Sequence, residues 1–354
     1  MMKIEDLLKY MVEKRASDLH ICVGIPPELR IDGELTKTDF EVLTPDVSKT
    51  LIYSMLTKEQ IETFENEMEL DFSFSLKGIS RFRMNLYKQR GAIAMVARAI
   101  PFEIPPLEEL GIPEIIKEFS DRPNGLFLVT GPVGSGKSTT LAAMIEYINS
   151  AKRAKIITIE DPIEYLFKHK KSTIDQREVG ADTNSFKNAL RHVFRQDPNI
   201  ILIGEMRDLE SIHMALTLAE TGHLILTTLH TTDAAHSISR IIDIFPPYQQ
   251  NQIRLQLSMV LVGVISQKLL KRAHDKPGRV LITEVMNVTS SIRNLIREND
   301  IPQVYSTIQT GKKYGMHTMN QSLVDLYRRG EIAYENALQC SNNQEELLSL
   351  ISSI

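Results

Sequence analysis

Residues Gly131-Pro132-Val133-Gly134-Ser135-Gly136-Lys137-Ser138 fit the pattern GxxxxGK[ST], and no other feature of the 354-residue chain narrows its fold as far. The pattern needs a backbone that wraps an anion closely, with N–H groups meeting phosphate oxygens where a Cβ would clash. Here it follows the apolar run Gly125 to Thr130 and precedes a helix-forming stretch, Thr139 to Asn149, whose N-terminal dipole attracts the same anion. Strand, glycine-rich turn and helix in that order imply an α/β protein built on a parallel sheet. Gly131, Pro132, Val133, Gly134, Ser135, Gly136, Lys137, Ser138 and Thr139 are therefore expected to cradle the phosphates of ATP. In that arrangement Lys137 reaches the β and γ phosphates and the Ser138 hydroxyl holds Mg²⁺.

The texture around the loop supports the parallel sheet. GLFLVTG, KIITIED, NIILIGE and HLILTTLH are short, almost continuously apolar runs separated by helix-like segments, as strands buried on both faces are. Upstream, a helix is expected from about Ile4 to Arg15. Asp71 to Leu76 and Ser80 to Leu86 alternate polar with apolar, like half-buried strands, with turn signals at Asp32-Gly33 and Lys77-Gly78. Between these regions lies Ile100-Pro101-Phe102-Glu103-Ile104-Pro105-Pro106, whose prolines stop any regular element. Beyond about Val285 the pattern is mostly helical, with a cap at Thr289-Ser290 and breaks at Pro302 and Gly311. The reading divides the chain into an N-terminal domain (1–100), a linker (101–110), an ATPase core (111–285) and a helical C-terminal region (286–354).

Acidic residues close two of the core strands. Ile201-Leu202-Ile203-Gly204-Glu205 ends in a carboxylate where the Mg²⁺-side acid of P-loop ATPases sits, so Glu205 joins Ser138 as an expected metal-side residue. Thr158-Ile159-Glu160-Asp161-Pro162-Ile163-Glu164 crowds carboxylates that would repel one another unless solvated or facing cations. Hydrolysis needs a carboxylate to orient water; Glu164 is favoured, with Glu160 and Glu205 as competitors. Thr221-Gly222-His223 and Thr227 to Thr231 flank another apolar strand. Both histidines are expected at the sheet edge that carries the other motifs, and His230 could bond a phosphate or a carboxylate there. In the N-terminal domain Arg81-Phe82-Arg83 on a strand puts two guanidiniums on one face, able to clamp transition-state charge.

Composition excludes other classes. A net charge of −4 advertises no nucleic-acid partner, and Cys22 and Cys340, the two cysteines of the chain, cannot form a thiolate zinc site. The N-terminus lacks an apolar signal core. Leu255 to Leu270, the most apolar later stretch, carries Gln256, Ser258, Ser266, Gln267 and Lys268, and is expected to be a buried helix that does not span a membrane. A cytoplasmic protein is expected.

Taken together these blocks resemble the type II/IV secretion ATPases, which power type IV pili and type II secretion. GPVGSGKSTT resembles the family's phosphate loop with Val133 at a usual threonine, TIEDPIEY its acidic box, IGEMRD its second acidic strand and TGHLILTTLHT its histidine box. SDLHI, PPELRIDGEL and RFRMNLYKQRG resemble its N-terminal PAS-like α+β domain, which precedes a RecA-like ATPase domain. SIRNLIRE, with Ser291 in place of alanine, and YGMHTMNQSL are similar to the pilus-retraction subgroup, as are the start at the PAS-like domain and the missing four-cysteine insertion. The resemblance implies a homohexameric ring with ATP held between two domains and Arg81 and Arg83 closing on the phosphates. It also implies hydrolysis driving pilin disassembly and twitching motility through an inner-membrane pilus platform protein. The motor would lie at the inner face of the cytoplasmic membrane. A pilus-assembly or type II secretion ATPase is the nearest alternative. A RecA-like nucleic-acid translocase would need a basic, aromatic-lined tract that the sequence lacks. Lys137, Ser138, Glu164 and Glu205 oppose a nucleotide sensor without turnover.

Overall fold

Ile4, Leu7, Leu8 and Met11 recur at helical spacing and are all buried, which fixes α1 (Ile4–Glu13) on the core of an N-terminal unit. The computed structural model describes residues 3–31, 33–100, 103–273 and 278–352. The chain divides into two compact units, 1–103 with Pro162–Leu166, and Ile104–Asp161 with Phe167–Ile354.

In the first unit α1 is followed by β1 (Asp18–Ile21), β2 (Glu28–Ile31), β3 (Glu34–Lys37), α2 (Pro45–Tyr53), α3 (Lys58–Glu67), β4 (Glu69–Leu76), β5 (Ser80–Gln89) and β6 (Ala92–Ile100). The strands form one antiparallel sheet in the order β3-β2-β1-β6-β5-β4. Phe82, Met84 and Leu86 of β5 point into a core shared with Leu51 and Ile52 of α2 and Phe64 of α3. Arg81 and Arg83 therefore lie on the opposite face, as the alternation predicts. On that face Arg83 pairs in register with Arg98, whose Nε lies 2.7 Å from the buried Asp18 carboxylate. Of the expected turn, Asp32 lies outside the described residues, and Gly33 takes φ +89°. Of the expected linker, Pro101 and Phe102 lie outside the described residues, and 103–106 form no regular element.

The second unit begins with α4 (Ile115–Ser120), β7 (Gly125–Thr130), α5 (Lys137–Ala151), β8 (Lys155–Glu160), β9 (Thr173–Glu178), α6 (Phe186–Val193) and β10 (Ile200–Ile203). It continues through α7 (Leu209–Glu220), β11 (Leu224–Leu229), α8 (Ala234–Asp243), α9 (Pro247–Val260), β12 (Leu261–Lys271) and β13 (Arg279–Asn287). It ends in α10 (Ser290–Arg297), α11 (Pro302–Gln309), α12 (Met319–Arg328), α13 (Tyr334–Cys340) and α14 (Gln344–Ser352). Its seven-stranded sheet has the order β13-β12-β7-β11-β10-β8-β9 and is parallel except for β13. Side chains of β7 alternate between two cores, Leu126 and Leu128 to one face and Phe127 and Val129 to the other. That two-sided burial is why its sequence reads as a continuous apolar run.

The expected Leu255–Leu270 helix is half wrong. The helix α9 stops at Val260, and Leu261 onward is the strand β12, parallel to β7 and antiparallel to β13. Ser266 and Gln267 are polar because they lie against the phosphate loop, described below. The helices after β13 begin as the caps predict, with Thr289 accepting from Ile292 N and Pro302 opening α11. Among the described residues no helix is long and apolar enough to cross a membrane.

Candidate functional site: the C-terminal edge of the parallel sheet

The parallel register brings four strand ends to one edge: Thr130 of β7 pairs with Leu229 of β11, and Ile203 of β10 pairs with Thr227 of β11 and Ile159 of β8. An open parallel sheet binds ligands in the crevice outside this edge.

The loop leaving β7 has the conformation the glycines permit. Gly131, Gly134 and Gly136 take φ of +141°, +77° and +90°. The reasons differ between positions. A Cβ on Gly131 would lie 2.3 Å from the Gln267 carbonyl of β12 and 2.7 Å from Ser135 Oγ, so this glycine lets the loop lie on the neighbouring strand. A Cβ on Gly134 would meet nothing within 4 Å, so its side is left open to a ligand. Lys137, the first residue of α5, is buried and folds back so that Nζ donates to Gly131 O at 2.8 Å and Pro132 O at 2.9 Å. Ser135 is buried, yet its Oγ has no hydrogen-bond partner among the described residues. A ring of positive-φ backbone, an unsatisfied hydroxyl and an ammonium at a helix N-terminus fits a phosphate chain. Val133, at a usual threonine position, is 88% exposed at the loop tip and takes no part in holding the loop shape.

Behind the loop β12 supplies a polar row, whose residues in the sequence mark only a stretch too polar to span a membrane. Ser266 Oγ lies 2.8 Å from Thr130 Oγ1, and Gln267, fully buried, pairs with Thr140 of α5 at 2.7 Å. A polar triplet inside an apolar run was the available signal.

The acidic residues separate into two groups. Glu205 follows β10 by two residues, past Gly204, where a Cβ would just touch the backbone of β8 at 3.4 Å. Its Oε1 lies 2.5 Å from Arg207 Nε and its Oε2 lies 3.5 Å from His230 Nε2, so it joins the ends of β10 and β11. Thr228 Oγ1 locks the same two strands by donating to Gly204 O at 2.7 Å. Glu160 ends β8, buried, and accepts from Thr158 Oγ1 at 2.6 Å and Gln176 Nε2 at 3.2 Å. Glu164 is exposed and falls in the Pro162–Leu166 segment, which groups with the N-terminal unit together with Arg81 and Arg83.

One expectation is overturned. His223 does not share the edge of His230. It precedes β11, at the opposite end of the strand, where its carbonyl accepts from Gly125 N and Nδ1 lies 3.0 Å from Leu218 O. A six-residue strand puts residues at its two ends about 20 Å apart, so His223 has no place at the phosphate loop.

Against this geometry stand the chain's likenesses. The family model described as type II/IV secretion system protein matches residues 2–339. The type IV pilus retraction ATPase PilT of Pseudomonas aeruginosa is 48% identical over 336 residues, covering 95% of this chain and 97% of that protein. A twitching motility protein of Neisseria gonorrhoeae is 46% identical, covering 91% of this chain and 86% of that protein. The crystal structure of the pilus retraction motor PilT with bound ADP superposes with a TM-score of 0.93 at 49% identity, over 99% of this chain and all of that one. The chain belongs to the type II/IV secretion system protein family and stands among its pilus retraction ATPases.

Proposed function

We propose that this chain is an ATP-hydrolysing motor that powers type IV pilus retraction, disassembling the pilus and driving twitching motility. The observation that carries the reading is the phosphate loop, with Lys137 and the open Gly134 side set at the same sheet edge as the Glu205–His230 pair. The end-to-end likeness to a retraction motor crystallised with ADP supports a nucleotide as the ligand of that loop.

The residues divide the work as follows. The loop backbone from Gly131 to Thr139 binds the phosphates, and Lys137 exchanges its two carbonyl acceptors for β- and γ-phosphate oxygens, a gain because the new partners are charged. Ser138 and Glu205 are the residues that would hold Mg²⁺, which would supply charge neutralisation at the phosphates. Glu205, Glu160 and Glu164 are the carboxylates able to orient the attacking water. Glu205 is best placed among those of the ATPase unit, because its two oxygens face Arg207 and His230 at the ends of β10 and β11. His230 bridges strand ends and senses whether a γ-phosphate is present. Arg81 and Arg83 are the guanidiniums that stabilise developing charge on a nucleotide, in this chain or in a neighbouring copy. The N-terminal unit is a PAS-like domain and the second a RecA-like ATPase with a helical C-terminal region. Six copies form a ring at the inner face of the cytoplasmic membrane and act on a membrane-embedded pilus platform protein.

Two measurements test the proposal. Lys137→Ala is expected to abolish ATP turnover; an intact rate removes the site. A strain without the gene is expected to be hyperpiliated and unable to twitch. A strain that instead lacks pili assigns an assembly motor, and normal retraction removes the motor reading.

A further inference from the structure

Glu284 of β13 is a buried carboxylate that none of the roles above uses. It is 2% exposed and lies opposite Ser266 of β12 in the antiparallel register. Its Oε1 accepts from the backbone N–H of Ala234, the first residue of α8, at 2.9 Å. The backbone N–H of Met319, the first residue of α12, also stabilises its charge. One side chain thus bridges the starts of two helices that are far apart in sequence. α8 begins four residues after His230, and side-chain hydrogen bonds tie the connecting turn to the helix start. Thr231 Oγ1 lies 2.6 Å from Ser237 Oγ, Ser237 donates to Asp233 O at 2.6 Å, and Asp233 caps His236 N at 2.9 Å. α12 belongs to the C-terminal helices, where Glu346 of α14 accepts from Tyr305 of α11, Gln309 and Asn320.

We propose that Glu284 is a positioning residue that couples the β11–α8 turn carrying His230 to the first turn of α12, so that the nucleotide edge and the C-terminal helices shift together. The proposal rests on the ATPase reading for its consequence in turnover, though not for the junction itself. The path between the two ends runs from the Glu205–His230 pair through the 231–237 turn and the Ala234–Glu284 hydrogen bond to Met319, which lines the same cavity as Glu284. A cavity of about 670 Å³ lies beside the junction, lined in part by Asp233, His236, Glu284, Tyr305, Met319 and Asn320, and gives the two helices room to part.

The charge on Glu284 sets how firmly the junction closes. Burial pushes its carboxyl up to about 7, with the Ala234 N–H opposing and the neighbouring Asp233 and Glu346 carboxylates adding to the rise. Asp233 is itself paired with His236 Nδ1 at 2.6 Å, and Glu346 is held by its three donors. On the α12 side His317 Nε2 lies 2.8 Å from Thr283 Oγ1, and burial lowers its pKa, favouring the neutral ring. The closed junction therefore prefers a protonated Glu284, and a hydrated carboxylate in an opened one ionises at its ordinary value. Raising the pH favours opening. With the opened carboxyl at its ordinary 4.5, the opening constant rises about tenfold between pH 6 and pH 8.

Hydrogen exchange on the full chain without nucleotide tests this, with rates corrected for the intrinsic pH dependence of exchange. The first turns of α8 and α12 are expected to lose protection together, about tenfold from pH 6 to pH 8. In Glu284→Gln, which cannot ionise, the corrected protection should stay constant. Turnover gives the second arm: kcat at pH 8 relative to pH 6 should differ between wild type and Glu284→Gln, with KM for ATP unchanged. Independent exchange of the two turns, or the same pH dependence in both chains, overturns the proposal. If Glu284→Gln fails to fold, the wild-type exchange still decides: no joint tenfold loss overturns it. An inactive wild-type enzyme would sink the ATPase reading and leave the exchange result standing.

Discussion

The loop glycines look alike in the pattern GxxxxGK[ST] and differ in what they would suffer on substitution. Gly131 combines φ +141° with a Cβ site 2.3 Å from Gln267 O, while Gly134 has φ +77° and open space. Gly131→Ala therefore meets both backbone strain and overpacking, and should destabilise the protein by about 2–5 kcal/mol. Gly134→Ala should cost only about 1–2 kcal/mol of strain while weakening nucleotide binding, because its methyl would stand where a phosphate approaches. Denaturant midpoints and nucleotide titrations on the two variants check this, and equal losses of stability would refute the account. A second contrast concerns Glu205, whose two oxygens meet Arg207 and His230. Glu205→Gln keeps the shape and removes the charge, so turnover should fall by about 100-fold or more with ATP still bound. Single-turnover hydrolysis beside a binding assay reads both. These residues were legible because each follows an apolar run that ends abruptly. Glu164 was less so: four residues past β8, it goes with a different unit, and no local pattern marks that departure.

At the scale of elements, the four strands buried on both faces were readable, since a short run of apolar residues between helices leaves few alternatives. β12 was not, because Leu255–Leu270 is mostly apolar and no glycine or proline stands between the end of α9 at Val260 and the strand at Leu261. Periodicity cannot tell a buried strand from a buried helix over so few residues. β9 was missed for the opposite reason: Thr173–Glu178 is an edge strand, mostly polar. The strand assignment of β12 makes a prediction that a helix would not. Gln267 is fully buried against Thr140 of α5, so Gln267→Leu leaves a buried hydroxyl without its partner and should cost about 1–3 kcal/mol, measured by thermal or denaturant unfolding. Strand polarity makes another. His223 precedes β11 and His230 follows it, so His223→Ala should leave kcat unchanged while His230→Ala lowers it. Equal losses in the two would contradict the placement.

At the scale of the whole molecule, the C-terminal helices are held to the ATPase sheet partly through a buried acid, and that has a consequence for stability that can be signed. Sequence alone did not mark Glu284, since one acid in the strand Arg279–Asn287 reads as a solvent-facing residue until α8 and α12 are seen to cover it. Burial raises its carboxyl from an ordinary 4.5 to about 7, so the folded protein favours the neutral form more than the unfolded chain does. A raised acid of this kind contributes stability in full below pH 4.5, and the contribution shrinks as pH rises through the interval up to about 7. Above it both states are ionised, and the buried charge costs about 3 kcal/mol relative to the acid form. Glu284→Gln is neutral at every pH and keeps a carbonyl oxygen able to accept from Ala234 N. The stability of Glu284→Gln relative to wild type should therefore grow with pH from 5 to 8, approaching about 3 kcal/mol at the alkaline end. Taking the difference between two chains cancels the titration of every other group. Urea midpoints at successive pH values give the curve directly. A difference that stays flat across the range would mean that Glu284 remains charged in the fold, with the two helix starts supplying enough hydrogen bonding to offset its burial.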